Sequence, residues 1–298
     1  MKAGVCSVAV VGAGNMGGAM SERLCALGWS VVACDIDPVR QQQALAVGAE
    51  LADTPGLAAA ALADDGVLIV CVVDAAQSHD VLLGDNGALA TMRPGQAVLL
   101  CPTIAPQDTE ALAARLTESG IGCIDAPMSG GPARARDGSM SLMLAGPAAL
   151  LEQHADLLQA LSSRRFVIGE RAGDGARTKL VNNLLAGINL VGAAEVLALA
   201  ERLGLDAGTT LDVIEQSSGQ SWIGSDRMRR AIAGDLEPRA HLTLLEKDTR
   251  LAIEAARAAG FDGPLGARVA ETFAQAHATG LAGLDDGALL LWLRQRGS

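Results

Sequence analysis

Residues 7–20 read SVAVVGAGNMGGAM, and the order of residue types in this stretch decides the fold. Ser7 to Val11 is a β-branched run suited to a strand. Gly12 closes it, and a stretch rich in Gly, Ala and Met leads on to Leu24–Leu27 in a helical pattern. Gly12-Ala-Gly14-Asn-Met-Gly17 therefore stands between a strand and a helix, the setting that a dinucleotide fingerprint requires. The first glycine makes the turn, the second lets backbone approach a pyrophosphate at the helix N-terminus, and the third allows close helix–strand packing. The next apolar run, Ser30 to Cys34, ends at Asp35, about 20 positions further on, where a carboxylate accepts hydrogen bonds from ribose hydroxyls. The same carboxylate repels a 2′-phosphate, so NAD is expected rather than NADP. Arg40, beyond Asp37-Pro38, reads as a solvated helix residue.

Working outward, apolar runs recur at Val67–Val73, Ala97–Cys101 and Gly122–Ile124. Alanine-rich helical segments separate them at Pro38–Val47, Pro55–Ala63, Ala75–Leu83 and Pro106–Leu116. Strands that are apolar almost throughout, alternating with helices, indicate a parallel sheet covered on both faces. After Gly146 strand-like runs nearly vanish apart from Arg165–Ile168, and long helices are expected over Lys179–Leu203, Ala207–Gln216, Arg250–Ala259 and Gly266–Ala278. The expected architecture is α/β: an N-terminal doubly wound Rossmann domain over 1–167, then an all-α domain over 168–298, joined by the long helix that opens after Gly173-Asp174-Gly175. The helical half is expected to form a homodimer or homotetramer through its apolar faces.

Composition narrows the function. Half of the 298 residues are hydrophobic, and 23 Lys and Arg against 34 Asp and Glu give a formal net charge of −11. Such a chain repels phosphate backbones and anionic membrane surfaces, which argues against nucleic-acid or membrane partners and leaves anionic ligands to be caught locally. Cysteines 6, 25, 34, 71, 101 and 123 mostly sit in apolar runs without CxxC spacing and read as buried thiols of a reducing compartment. The N-terminus has no apolar stretch with a cleavage site, so a cytoplasmic location is the default expectation. His79, His154, His241 and His277 show no ligand spacing, and no metal site is expected.

Lysine is used only three times, at positions 2, 179 and 247, whereas arginine occurs 20 times. A lysine retained in such a chain is a candidate for a titratable amine, which arginine cannot be. Lys179 and Asn183 are four apart and so share one helix face. Burial and the positive charge of a nicotinamide both lower a lysine pKa, which suits exchange of a proton with a substrate hydroxyl. In an open parallel sheet the ligand lies across the carboxyl ends of the strands. Those ends here offer Val73-Asp74, Thr103 and the run Asp125 to Gly131, in which Ser129, Gly130 and Gly131 supply a hydroxyl and backbone N–H groups able to hold a carboxylate. Glu246-Lys247-Asp248 reads as an exposed turn or helix end. Trp222 reads as core by residue type.

Together these motifs resemble the β-hydroxyacid dehydrogenase family, the 3-hydroxyisobutyrate dehydrogenase-like enzymes. The resemblance rests on VVGAGNMGGAM at the start, PTIAP at 102–106, DAPMSGG at 125–131, GDGARTKLVNNLL at 173–185 and EKD at 246–248. It implies an oxidoreductase acting on a CH–OH group with Lys179 catalytic and Asn183 its partner. Ser129, Gly130, Gly131 and Trp222 would lie on the substrate side. Gly12, Gly14, Asn15, Met16, Gly17, Asp35, Val73, Asp74, Ser78, Thr103 and Lys247 would lie on the cofactor side. Residues 72–87, 184–205 and 219–240, with Asp285-Asp286, look most like a branch that oxidises the C2 hydroxyl of a four-carbon sugar acid. A reductase of semialdehydes is the enzymatic alternative, and a catalytically silent dinucleotide-binding interaction module the non-enzymatic one.

Overall fold

The computed structural model describes residues 7–296; Lys2 and Cys6 lie outside them. The chain divides into two compact units, Met1–Lys179 and Leu180–Ser298.

The first unit alternates strand and helix as β1 (Ser7–Val11), α1 (Asn15–Ala26), β2 (Ser30–Cys34), α2 (Pro38–Ala46), β3 (Glu50–Leu51), α3 (Pro55–Ala60), β4 (Val67–Val70), α4 (Ala75–Leu83), β5 (Ala97–Leu100), α5 (Pro106–Glu118) and β6 (Gly122–Asp125). It continues through β7 (Met128–Ser129), α6 (Gly131–Asp137), β8 (Ser141–Ala145), α7 (Ala148–Gln153), α8 (Ala155–Leu161) and β9 (Arg164–Gly169). The sheet runs β3-β2-β1-β4-β5-β6-β8-β7, with β9 paired to β8. Strands β1 to β6 are parallel, and β8 runs antiparallel to β6. Both faces are covered. Val8, Val10, Ile69, Leu99 and Ile124 fill one core, and Ala9, Val11, Leu68, Val70, Val98 and Leu100 the other. Because successive side chains point to opposite faces and both faces are dry, the strands read as continuous apolar runs.

Strand order reverses at β1, which has β2 on one side and β4 on the other. The register aligns Val11 with Cys34 and Val70, Val70 with Leu100, and Leu100 with Asp125. Gly12, Asp35, Cys71, Cys101 and Ala126 therefore leave the sheet along one edge. Strand β4 ends at Val70, three residues before the expected limit, so Cys71 to Val73 belong to that rim.

Helix α9 (Asp174–Arg202) runs from the first unit into the second, which continues as α10 (Ala207–Glu215), α11 (Trp222–Ile232), α12 (Leu242–Ala258), α13 (Gly266–Ala276) and α14 (Leu289–Gln295). By length and composition alone α9 could cross a membrane. Its Leu190, Ala194 and Leu197, however, are fully buried in the helical core with Met228, Leu242, Phe273 and Leu289. At Gly187 a Cβ would lie 2.8 Å from the Thr249 methyl and 3.2 Å from Val269, so this glycine lets α12 and α13 close on α9.

In the second unit α14 was not expected, and two further helices depart from expectation. Helix α11 was not anticipated, and α12 begins at Leu242 rather than Arg250. Both carry charges that the fold buries. Arg230 is paired with Asp285 at 3.1 Å, and Arg227 bonds Asp286. Asp285 also accepts the backbone N–H groups of Arg239 and Gly287, tying the C-terminal segment to the chain leading into α12.

Candidate active site

The glycine turn has the three properties that a dinucleotide cradle needs. Gly12 adopts φ +92°, and a Cβ there would lie 2.5 Å from the Cys71 carbonyl oxygen, so only glycine fits. At Gly17 a Cβ would fall within the Gly12 carbonyl, while around Gly14 nothing lies within 4 Å of where a Cβ would be. The turn is closed below and open above. Asn15 and Met16 form the first residues of α1, whose N-terminal N–H groups and dipole favour an anion.

Asp35 stands beside this turn. Its Oδ2 accepts the Ala13 N–H at 2.6 Å and its Oδ1 the Asp37 N–H at 2.9 Å, which fixes the carboxylate at the rim. Ile36 beyond it is fully exposed. Along the same edge Val73 is half-exposed and Asp74 caps α4 by accepting the Gln77 N–H at 2.9 Å. Ser78 is fully buried, and its hydroxyl donates to the Asp74 carbonyl at 2.7 Å, so it serves the first turn of α4. Thr103 follows β5 on the same rim and is partly exposed.

Ser129 ends β7, and Gly130 and Gly131 follow with φ +129° and +72°. Gly130 stands just before α6, and both glycines hold a positive φ that side-chain-bearing residues rarely adopt.

Lys179 and Asn183 lie one turn apart on α9, each 8% exposed. A lysine buried to this degree is rare among structural residues. Asn183 is locked, because its amide nitrogen donates to Asp248 Oδ2 at 2.6 Å while its oxygen accepts from Asn182 at 3.0 Å. Asp248 Oδ1 receives Lys247 Nζ at 2.7 Å. The Glu246–Asp248 triplet is thus neither a turn nor a helix end. It lies within α12, with Asp248 5% exposed. Sequence reasoning missed the part played by Asp248. The signal was the spacing of Leu242, Leu245, Asp248, Thr249 and Ala252, which puts the carboxylate on the buried face. Trp222 opens α11 and is 46% exposed, not a core residue.

A parallel sheet with an open glycine turn at its switch point, an acidic residue at the end of β2 and a buried lysine on the helix that follows the sheet define a dinucleotide-dependent oxidoreductase. The sequence model for the NAD binding domain of 6-phosphogluconate dehydrogenase matches residues 7–169, and that for the NAD-binding domain of NADP-dependent 3-hydroxyisobutyrate dehydrogenase matches residues 173–293. The chain is 36% identical to the L-threonate dehydrogenase of Cupriavidus necator, covering 95% of each chain, and 33% identical to that of Haemophilus influenzae, covering 95% and 94%. A solved structure from Salmonella typhimurium described as 3-hydroxyisobutyrate dehydrogenase superposes with a TM-score of 0.90 at 33% identity, covering 96% of this chain and 99% of the other. The chain belongs to the β-hydroxyacid dehydrogenase family and is an NAD-binding dehydrogenase.

Proposed function

We propose that the protein oxidises a hydroxyl of a small sugar acid with NAD, and that the substrate is L-threonate, converted to 2-dehydro-L-erythronate. The observation that carries the chemistry is the buried Lys179 above an Asn183 whose amide is held by Asp248. The identity to L-threonate dehydrogenases over nearly the whole chain supports the substrate.

Gly12, Gly14, Asn15, Met16 and Gly17 hold the pyrophosphate, and Asp35 takes the ribose hydroxyls and disfavours a 2′-phosphate. Val73, Asp74 and Thr103 line the same rim. Bound NAD supplies the hydride acceptor. Ser129, Gly130 and Gly131 take the substrate carboxylate. Lys179, as the free amine, accepts the hydroxyl proton while the carbon–hydrogen bond breaks as hydride and the carbonyl forms. Asn183 hydrogen-bonds to hold amine and hydroxyl in line. In reduction the ammonium returns the proton. Lys247 and Trp222 enter the proposal through the family resemblance alone. Buried, uncharged thiols fit a cytoplasmic protein: burial pushes the Cys123 thiol up to about 12.

The test is NADH formation across L-threonate, glycerate and 3-hydroxyisobutyrate, with NADP as control. Threonate should be turned over with the highest kcat/KM and NADP should be the poorer acceptor. A preference for 3-hydroxyisobutyrate, the activity that describes the Salmonella relative, would keep the residue roles and replace the substrate. The silent-module reading is disfavoured because Lys179 and Asn183 are both present, and any turnover excludes it.

The assembly proposed is a homo-oligomer through the helical half. Val181, Leu185, Val196 and Leu199 lie exposed along α9, with Leu203 just beyond its end, an apolar stripe that a second copy would cover. Light scattering should give a dimer or tetramer, and Leu199→Asp should shift it toward monomer. A monomeric wild type would overturn this.

A further inference from the structure

We propose that Asp125 is a positioning residue for this reaction, its buried carboxylate joining the strand that leads into Ser129–Gly131 to the first turn of the helix that carries Lys179. The inference rests on the reading of Lys179 as the proton-transfer group.

Strand β6 ends at Asp125, and the chain runs directly through Ala126-Pro127-Met128 into Ser129. The side chain is 2% exposed, and its Oδ2 accepts the Gly173 N–H at 2.8 Å and the Ala176 N–H at 3.1 Å. The first N–H groups of a helix have no acceptor within it. Here a carboxylate 51 residues before Ala176 supplies one, and its charge is favourable at that end of the helix. The approach is close. At Gly175 a Cβ would lie 2.7 Å from the Met143 carbonyl oxygen and 2.9 Å from Asp125 Oδ2, so the first turn of α9 rests directly on β6 and β8. Gly173 turns its N–H to the carboxylate at φ +94°. Lys179 is four residues beyond Gly175, on the same helix face.

The carboxylate trap and the amine must keep a fixed separation for hydride and proton to leave one carbon and its hydroxyl together. An error of about 1 Å in such placement costs about a hundredfold in rate. One side chain sets both ends of that separation. A helix anchored only by its own cap would hold Lys179 without reference to Ser129.

Among the described residues the charge that acts on this carboxylate is Asp174, at the start of α9. Asp174 is itself paired with Arg171 and Arg177, and Glu110 of α5 with Arg177. The thiols of Cys123 on β6 and Cys101 after β5 are pushed up by burial and stay neutral. Burial pushes the Asp125 carboxyl up to about 6, and the Asp174 charge adds to this, while the N–H groups of Ala176, Gly173 and Gly175 oppose it. Protonation as pH falls through about 6 therefore removes the charge that faces the helix end.

The experiment follows kcat for reduction of the 2-keto acid by NADH against pH. In this direction Lys179 works protonated, so acid does not disarm it. The wild type should lose kcat below about pH 6 with an unchanged KM for NADH. Asp125→Asn should lower kcat about ten- to hundredfold at neutral pH and abolish the acid limb. Gly175→Ala, which lifts the first turn, should lower kcat similarly but keep the limb. A wild-type profile flat to about pH 5, or an Asp125→Asn protein with wild-type kcat and limb, would overturn the proposal. Should Asp125→Asn fail to fold, the wild-type profile and Gly175→Ala decide it. Full turnover by Lys179→Ala would instead remove the reading on which the proposal rests. An inactive Lys179→Ala beside an unaffected Asp125→Asn would defeat the positioning role alone.

Discussion

Replacing Lys179 by alanine is expected to lower kcat by about 10²–10⁴-fold while leaving the dissociation constant for NAD unchanged. The amine sits on α9, whereas the glycine turn and Asp35 proposed to hold the dinucleotide are carried by β1, α1 and β2. Removing the side chain therefore takes away the proton acceptor without touching the cradle. Lys179→Arg should rescue nothing, because a guanidinium keeps its proton at any pH the enzyme survives. Initial-rate kinetics with L-threonate and a fluorescence titration with NADH separate the two effects. Full turnover in the alanine variant would refute the assignment, and equal losses in rate and cofactor binding would make Lys179 a structural residue.

The second large effect is expected on stability. Asp285→Ala should destabilise the helical unit by about 3–5 kcal/mol, the usual cost of removing one partner from a buried ion pair. Asp285 is 1% exposed. Removing it takes one carboxylate from Arg230, which keeps only the half-exposed Asp235 and the Glu237 carbonyl oxygen, and deprives the N–H groups of Arg239 and Gly287 of their acceptor. Burial pushes its carboxyl up, but the Arg227 charge, those two N–H groups and Arg230 more than offset this and hold it below the ordinary range. A depressed folded pKa means stability that is present above about pH 3.9 and lost as pH falls through the lower folded value. Neighbouring Asp286 is pushed the other way by burial, to about 7, so well below neutrality the pair carries a single negative charge. Thermal unfolding followed between mildly acidic and strongly acidic pH should show a wild-type loss of stability in the acid range and a flatter profile in Asp285→Ala. An unchanged midpoint would mean that the pair contributes nothing net.

The first unit was largely legible because β1, β2, β4 and β5 are dry on both faces along nearly their whole length, β1 running into Gly12 and β2 into Asp35. Val8 to Val11 and Val67 to Val70 could hardly be anything but interior strands, and Gly12 marks the turn by its position alone. The short β7 and α6 were not read, since Met128-Ser129 lacks the length of an isolated strand signal and forms a strand only by pairing with β8. In the second unit the obstacle was charge. Arg227, Arg230 and Asp248 look like solvent-facing residues in a one-dimensional pattern, and they lie inward only because Asp285, Asp286 and Asn183 meet them there. Lys179 and Asn183 stood out for the opposite reason. Lysine is scarce in this chain, and a spacing of four is itself a statement about one helix face. The anchoring of α9 by Asp125 could not be read, because it depends on the register of β6 against the rest of the sheet.

The central claim is that the hydrogen at C2 of L-threonate leaves as hydride to NAD while Lys179 takes the proton of the hydroxyl on that carbon. Its most direct test is to incubate the enzyme with NAD and L-threonate deuterated at C2 and to measure the mass of the NADH formed. The account predicts NADH carrying one deuterium per turnover. NADH of natural mass, or no NADH at all, would contradict it.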